Sequence, residues 1–507
     1  MRLIQLKSGT DVRGTAVSTK EHPEYELTDR VISDITAAFI RFLCKKTGKS
    51  AENLTVSVGH DSRISAMRIK NSVISVLSDS GAHILYCSYC STPAMFMTTV
   101  TRGCDGAVQI TASHHPYDRN GLKFFTRDGG LSGSELTEIL SDAEKNPFKN
   151  SNKNGVVTEI DYISEYSAIL REMIKKGVNA DDYEYPLKGF KIAVDAGNGV
   201  GGFYAEKVLK PLGADTSASQ FLNIDGMFPN HIPNPENNTA MDFIRKATVE
   251  NMCDLGVIFD TDVDRASCVD DTGEEINRNS IVALASVIAL EGNIGGTVVT
   301  DSVTSDGLHA FIEDTLGGKH VRFKRGYKNV IDEAVSRTRT GENVPLAIET
   351  SGHAAFRENY YLDDGAYLVT KIIIKAAVLA KSGGKIGDCI KSLKKPEEEK
   401  ELRFNIKTDD FKGTGEAVIE KIKSIAKNGG AMRLAPDNYE GVRVSFDDEK
   451  RRGWFLLRLS VHDPVMPFNV ESDTDGGCKE ICKTFYNMIK DETDLDLTQL
   501  KDFINLP

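Results

Sequence analysis

Short apolar runs rich in β-branched residues alternate with amphipathic stretches through most of this chain, and that alternation limits the folds open to it. A clear cycle reads LTVSVGHDSR, then SAMRIKNSVISVLSDSGA, then HILYCS. An apolar run of strand length, a stretch of helical period and a second such run make a βαβ unit, and hence a mainly parallel sheet covered by helices. The cycle restarts at GFKIAVDAGNGVGGFYAEKVLKPLGA and again at GTVVTDSVTSDGLHAFIEDTLGG, which predicts three α/β units. Beyond KSLKKPEEEKE the pattern changes. GVRVSFDDEKRRGWFLLRLSVHDP reads as two strands joined by a charged turn, and GGCKEICKTFYNMIKDE as a helix, so the last part is expected to be an α+β domain. The charged run over 394–401 reads as a solvated linker between the two patterns. A length of 507 residues agrees, since roughly 150 residues per domain gives three or four domains.

Charge and composition exclude several functions. The formal net charge of −12 works against non-specific attraction to nucleic acid or anionic lipid, so any anion site must be a local cluster of Arg and Lys. The start, MRLIQLKSGTD, lacks the sustained apolar core of a secretory signal, and windows such as SIVALASVIAL are too short to span a bilayer. The nine cysteines are scattered, and YCSYC has no partner pair at zinc-site spacing, so they read as free thiols of a cytoplasmic protein.

Several stretches could carry chemistry. In QITASHHPYDRNGLKFF, Ser113 stands between Ala112 and a His114-His115-Pro116 run, which alone reads as an ordinary loop before it reads as a nucleophile or a metal site. In DLGVIFDTDVDRA an apolar strand ends in Asp260, Asp262 and Asp264 at alternate positions. If the chain stays extended, three carboxylates can point toward one point, an arrangement that is expensive without a hard cation such as Mg²⁺ or Ca²⁺. An EF-hand does not fit, because Arg265 occupies the position where that loop needs glycine. VDAGNGVGG formally satisfies G-x-G-x-x-G through Gly197, Gly199 and Gly202, yet no good second strand ending in an acid follows. A glycine turn for close strand–helix packing is therefore preferred over a dinucleotide site. AIETSGHAAFRENYYLDDGA sets Glu349, Ser351 and His353 at alternate positions, the mixture of donors and acceptors that a sugar site needs. Arg13, in what reads as a glycine-rich turn SGTDVRG, and Lys123 in NGLKFF are the basic candidates.

Taken together and in this order, SGTDVRG, TASHHPYDRNGLKFF, VDAGNGVGG, DGMFPNHIPNPEN, DTDVDR, ETSGH and LDDGAY resemble the α-D-phosphohexomutase family, the phosphoglucomutases and phosphomannomutases. The resemblance covers nearly the whole chain. It implies an α/β protein of four domains, three related mixed-sheet domains and a C-terminal α+β domain, around an active site in the central cleft. On this chain they are a phosphoserine domain over 1–160, a metal-binding domain over 161–280, a sugar-recognition domain over 281–395 and a phosphate-binding domain over 396–507. Ser113 matches the family's phosphoserine, and Asp260, Asp262 and Asp264 its Mg²⁺ ligands, with the Ser113 phosphate completing the shell of one Mg²⁺ per chain. Arg13, His114 and Lys123 match the basic residues around the phosphoserine; Arg265 follows the metal ligands; Glu349, Ser351 and His353 match the sugar-recognition loop. The implied reaction interconverts hexose 6-phosphate and hexose 1-phosphate of mannose, glucose or both, through a bound hexose 1,6-bisphosphate that also serves as activator. Lys123 and His353 are the candidate general acid and base. The implied partner is a small phosphosugar, with no nucleic acid and no membrane, for a monomer or dimer. The alternatives are a mutase for another sugar, such as glucosamine phosphate, and a relative that binds sugar phosphates without turning them over.

One loop departs from the family. Its phosphate loop usually reads Arg-Pro-Ser-Gly-Thr-Glu-Pro with a second arginine three residues on; here the chain reads RLSVHDPVMP. Arg458, Ser460 and Pro464 remain, but Val461 and His462 replace the glycine and threonine, and Pro467 stands at the second arginine. A bulky Val461 makes close approach of the backbone to a phosphate harder. His115 also stands where asparagine is usual.

Overall fold

A computed structural model describes residues 2–436, 438–460 and 463–506. The chain divides into two compact units, one comprising 1–289 with 345–390 and the other 290–344 with 391–507.

The first unit opens with a sheet whose strands are β1 (Lys7–Ser8), β2 (Asp11–Thr15), β3 (Thr55–His60), β4 (His83–Tyr89), β5 (Gly106–Ile110), β6 (Arg119–Thr126), β7 (Gly129–Gly130) and β8 (Val157–Glu159). Their spatial order is β1-β2-β6-β5-β3-β4-β8, with β7 paired to β6. The centre is parallel, β5 to β3 to β4 to β8, as the βαβ pattern predicts. The β6, β2 and β1 edge is antiparallel, because β6 returns from β5 through a loop too short for a crossover helix. Nearly every residue of β6 is buried, since helices cover both of its faces. Phe124 meets Phe39 of the helix Asp29–Thr47 with ring centroids 4.4 Å apart, and Phe125 meets Phe96 of the helix Thr92–Thr101 on the other side. Lys123 shares the face of Phe125. Arg13 sits in β2, paired with Gly121 of β6, and not in a turn: Gly14 beside it is a strand residue, and only Gly9, at φ 62°, occupies the turn between β1 and β2. A Cβ on Gly121 would lie 2.1 Å from the Val12 carbonyl oxygen.

The second sheet runs β12-β11-β10-β9, with β9 (Ile192–Asp195) parallel to β10 (Leu255–Phe259), then antiparallel β11 (Ala266–Asp270) and β12 (Glu275–Ile276). The same unit contains an antiparallel meander of Leu346–Ile348, Ala354–Phe356 and Leu362–Asp363, followed by the helix Gly365–Ala380.

In the second unit, Thr297–Asp301 pairs in parallel with Lys319–Phe323. Its C-terminal portion is α+β, as the change of pattern predicts: a five-stranded antiparallel sheet carries the helices Phe411–Asn428, Gly477–Ile489 and Thr498–Ile504. Phe404, Phe455, Phe468 and Phe485 fill the space between sheet and helices, with Phe468 and Phe485 only 4.3 Å apart between centroids. The charged run stays irregular over 394–397 but does not remain a linker beyond it. Glu398–Asn405 is an edge strand paired residue for residue with Val465–Ser472, its acids outward and Leu402 and Phe404 inward. Main-chain pairing with a long neighbour overrides the solvated character of its side chains. All nine cysteines are free thiols, and no helix among the described residues is long and apolar enough to cross a membrane.

Candidate active site

The site begins at three strand ends. The loop between β5 and β6 carries Ser113, whose φ of 50° is left-handed and unusual for a residue other than glycine. Its N–H donates to Thr111 Oγ1 at 2.9 Å, and its hydroxyl donates to Asp260 Oδ2 at 2.7 Å. Ser113 is buried, so that hydroxyl is held by protein and not by bulk water.

Asp260 follows β10, and the next residues do not stay extended. They turn, with Val263 at φ 66°, and the turn converges the three carboxylates on one point. One oxygen from each of Asp260, Asp262 and Asp264 lies within 4.8 Å of the others, and all three residues are buried. The glycine turn after β9 supports this loop. Val200 N–H donates to the Thr261 carbonyl at 2.9 Å, and a Cβ on Gly199 would stand 2.5 Å from that same oxygen. Close packing, and not nucleotide binding, accounts for the glycines of VDAGNGVGG.

Lys123 reaches the cluster from β6, donating to Asp262 Oδ2 at 3.1 Å and to Asp264 Oδ2. Thr92 Oγ1 donates to Asp262 Oδ2 at 2.5 Å from the first turn of its helix. The other oxygens, Asp262 Oδ1 and Asp264 Oδ1, are buried without a hydrogen-bond partner. Buried carboxylate oxygens are normally satisfied, so this pair of vacant lone-pair positions beside a third carboxylate fits a hard cation. Burial first, and then Asp264 and Asp262, push the Asp260 carboxyl well above its usual range. Burial resists ionisation of Asp264 too, but Lys123, His353 and Arg265 outweigh it and hold that carboxylate low.

Arg265 links the two loops. Its guanidinium donates to Asp260 Oδ2 at 3.3 Å, to Ser113 Oγ at 3.2 Å and to Asn234 Oδ1 at 3.2 Å. Its Nη2 lies 2.5 Å from His114 Nδ1. A guanidinium only donates, so His114 Nδ1 accepts and the imidazole carries its proton on Nε2. Burial and the charge of Arg265 push His114 down to about 2, so it is neutral. His115 stacks on His114 with centroids 5.1 Å apart and is likewise pushed down, to about 3, by burial and Arg13. Arg13 donates to the Thr111 carbonyl and, at 2.7 Å, to Asp11 Oδ2.

The Glu349–His353 loop closes on the same strands. His353 bridges Arg265 through the backbone, and Ala266 N–H donates to the Gly352 carbonyl at 3.3 Å. Gly352, at φ 90°, is required here, since a Cβ would stand 2.5 Å from the Ala266 carbonyl oxygen. Glu349 and Ser351 are both buried in this loop. His353 Nδ1 lies 2.5 Å from Asp363 Oδ2 and 3.9 Å from Asp264 Oδ1. Burial opposes its charge, but Asp363 and Asp264 lift it to about 9.

Arg13, Ser113, His114, Lys123, Asp260, Asp262, Asp264, Arg265, Glu349, Ser351 and His353 thus all belong to the first unit. Arg458 and Ser460 belong to the second. Arg458 is buried there, with Nη1 3.7 Å from Glu440 Oε1, and Ser460 Oγ accepts from Asp463 N–H at 3.2 Å. The substitutions Val461 and His462 lie outside the described residues.

Sequence reasoning missed four partners of the site: Arg63, Thr92, Asn234 and Asp363. Asn234 and Asp363 stand inside the quoted motifs DGMFPNHIPNPEN and LDDGAY, and Arg63 ends the strand segment LTVSVGHDSR, but no spacing marks any of them as a partner of Arg265, His353 or Ser113.

The comparisons agree with this geometry. Residues 5–150 match the model of phosphoglucomutase/phosphomannomutase α/β/α domain I, residues 170–273 that of domain II, and residues 277–396 that of domain III. A phosphoglucomutase of Neisseria meningitidis is 29% identical over 441 residues, 87% of this chain and 89% of the relative. A phosphomannomutase/phosphoglucomutase of Pseudomonas aeruginosa is 28% identical over 437 residues, 86% and 87% of the two chains. The crystal structure of a phosphoglucomutase/phosphomannomutase family protein from Burkholderia thailandensis superposes with a TM-score of 0.78 at 24% identity, covering 97% of this chain and 98% of its own. Three domain matches in the family's order, spanning well over half of the residues, establish that this chain belongs to the phosphoglucomutase/phosphomannomutase family, the α-D-phosphohexomutases.

Proposed function

We propose that this protein is a phosphohexomutase that interconverts the 6-phosphate and 1-phosphate of glucose, mannose or both, with Ser113 as phosphate carrier. The observation that carries this reading is the meeting of Ser113 Oγ with Asp260 and Arg265, from loops about 150 residues apart, at 2.7 and 3.2 Å. Relatives bearing both the phosphoglucomutase and the phosphomannomutase names support the two sugars.

Phosphoryl transfer asks little covalent chemistry of a protein. It needs in-line positioning and positive charge on the transferred oxygens. Phospho-Ser113 gives its phosphoryl group to the free hydroxyl of a hexose monophosphate. The Oγ–P bond breaks, the sugar O–P bond forms, the hydroxyl proton passes to a base, and Ser113 takes a proton to return as an alcohol. The bound hexose 1,6-bisphosphate then reorients and returns its other phosphate by the reverse step, so the sum is an isomerisation; free bisphosphate would act as activator by rephosphorylating Ser113. Arg13, Lys123 and Arg265 supply fixed cations, and neutral His114 offers its Nε2–H. Lys123 and His353, the latter oriented by Asp363, are the acid–base pair that exchanges a proton with the sugar oxygen: neighbouring carboxylates hold both protonated, so either can give a proton to the departing oxygen, and the one beside the attacking hydroxyl acts as base only once it has lost its own. Asp260, Asp262 and Asp264 would hold one Mg²⁺, which when bound offsets charge on the phosphoryl oxygens. In this reading the roles that the family resemblance gives them are kept: Glu349 and Ser351 bind sugar hydroxyls, and Arg458 and Ser460 bind the phosphate that is not reacting.

The test is an assay panel of glucose, mannose and glucosamine phosphates with a trace of the matching bisphosphate, together with intact mass. The protein from cells should carry a fraction about 80 Da heavier, the mass of one phosphoryl group, that is lost in Ser113→Ala. Unmodified protein without turnover of any of these sugars would leave a sugar-phosphate-binding relative instead.

A further inference from the structure

Arg63 ends the segment after β3 and is one of the largest fully buried side chains of the first unit. Its guanidinium is spent on the backbone of the Ser113 loop. Nη2 donates to the carbonyls of Ser113 at 2.5 Å and His115 at 2.6 Å, and Nη1 to those of Pro116 at 2.6 Å and Arg119 at 2.9 Å. Its Nε faces Asp61 Oδ2 at 3.3 Å. Asp61 Oδ2 in turn accepts from Thr111 Oγ1 at 2.7 Å, and Thr111 Oγ1 accepts from the N–H of Ser113. One buried ion pair therefore grips Ser113 from both sides, by its carbonyl through Arg63 and by its amide through Asp61 and Thr111.

We infer that Arg63, anchored by Asp61, is the positioning residue that fixes the left-handed backbone of Ser113 and thereby aims its hydroxyl at Asp260 and Arg265. The inference rests on reading Ser113 as the phosphate carrier. A left-handed serine persists only where its surroundings over-determine it, and a short loop that turns four carbonyls inward, that of Ser113 buried and the others partly so, needs a donor that can meet them together. Arginine alone among side chains has five N–H groups in a rigid fork; lysine offers one movable point. Arg63 touches carbonyl oxygens and no hydroxyl or carboxylate of the reacting cluster, so it acts through Ser113's geometry.

The test uses Arg63→Lys, which keeps the charge opposite Asp61, beside Arg63→Met. For each full-length variant, amide hydrogen exchange of the peptide over 111–119, kcat, KM and Tm are measured. Arg63→Lys should keep its Tm near wild type, while exchange in 111–119 quickens by roughly 10-fold or more relative to the rest of the unit. Its kcat should fall by about 100-fold, the scale of an ångström of misplacement at a reacting atom, with KM within twofold of wild type. A merely structural role would not produce that split. Wild-type protection of 111–119 in Arg63→Lys and Arg63→Met, or wild-type kcat despite a loosened loop, overturns the inference. If the wild-type protein itself shows no mutase activity and no phosphoserine, the phosphate-carrier reading fails, and the exchange result still decides whether Arg63 holds the loop.

Discussion

Substituting Gly199 by alanine probes the metal loop without touching a carboxylate. Gly199 has an ordinary backbone conformation, so the added methyl acts only through space. That methyl would stand 2.5 Å from the Thr261 carbonyl oxygen and 2.7 Å from Thr261 Cα, both backbone atoms that cannot rotate away. Real contacts of this kind are not found under 3.0 Å, so the Thr261 oxygen must retreat by at least 3.0 − 2.5 = 0.5 Å, and by 3.4 − 2.5 = 0.9 Å to reach ordinary contact. Thr261 lies between Asp260 and Asp262, and the shift passes to both. Overpacking of this kind costs about 1–3 kcal/mol of stability, and a displacement near 1 Å in the reacting geometry costs about 100-fold in rate. Gly199→Ala should therefore fold, melt a few degrees lower, lose about 10- to 100-fold in kcat, and need more Mg²⁺ for half-maximal turnover. Mutase activity titrated against Mg²⁺, with a thermal melt of the same sample, measures all three. Wild-type Mg²⁺ dependence and kcat would refute the claim that the glycine turn sets the position of the aspartates.

Three further outcomes can be checked. Asp262→Ala should abolish Mg²⁺-dependent turnover while keeping a folded melting profile, because the carboxylate pairs with Lys123 and Thr92 and adds little packing; full activity, or wild-type activity in excess chelator, would remove the metal assignment. Arg458→Ala should raise KM strongly with a smaller change in kcat, and wild-type kinetics would show that the degenerate fourth loop is no phosphate site. Glu471, raised by burial from 4.5 to about 7 despite Arg443, contributes stability that is complete below pH 4.5 and lost as pH rises toward 7. At 1.36 kcal/mol per pH unit this is about 3 kcal/mol, so Glu471→Gln should melt higher than wild type at pH 8 and like it at pH 4, and equal melts at pH 8 would contradict the assignment.

The chain's own pattern determined the fold class and picked out side chains that the first unit brings together. Apolar runs of strand length between amphipathic stretches can bury their faces only as parallel strands under helices, and the centre of the first sheet is so built. The order of motifs also brought Ser113 and the aspartates forward together, because three carboxylates crowded at a strand end are costly without a compensating charge whatever the rest of the fold. Local reading failed where a distant partner decided the outcome. Arg13 looked like a turn residue until pairing with β6 made it a strand, and the acidic run near 400 looked solvated until Val465–Ser472 lay beside it. Asp260 to Asp264 converge by a left-handed turn at Val263, where an extended chain would have carried them apart, and the glycine that buttresses that turn, Gly199, comes from the loop after β9. Arg63 could not be found by spacing at all, since its partners are main-chain carbonyls some fifty residues away. Side-chain type is written in the sequence; which buried lone pair each donor must satisfy depends on long-range strand pairing, and only the tertiary structure decided that.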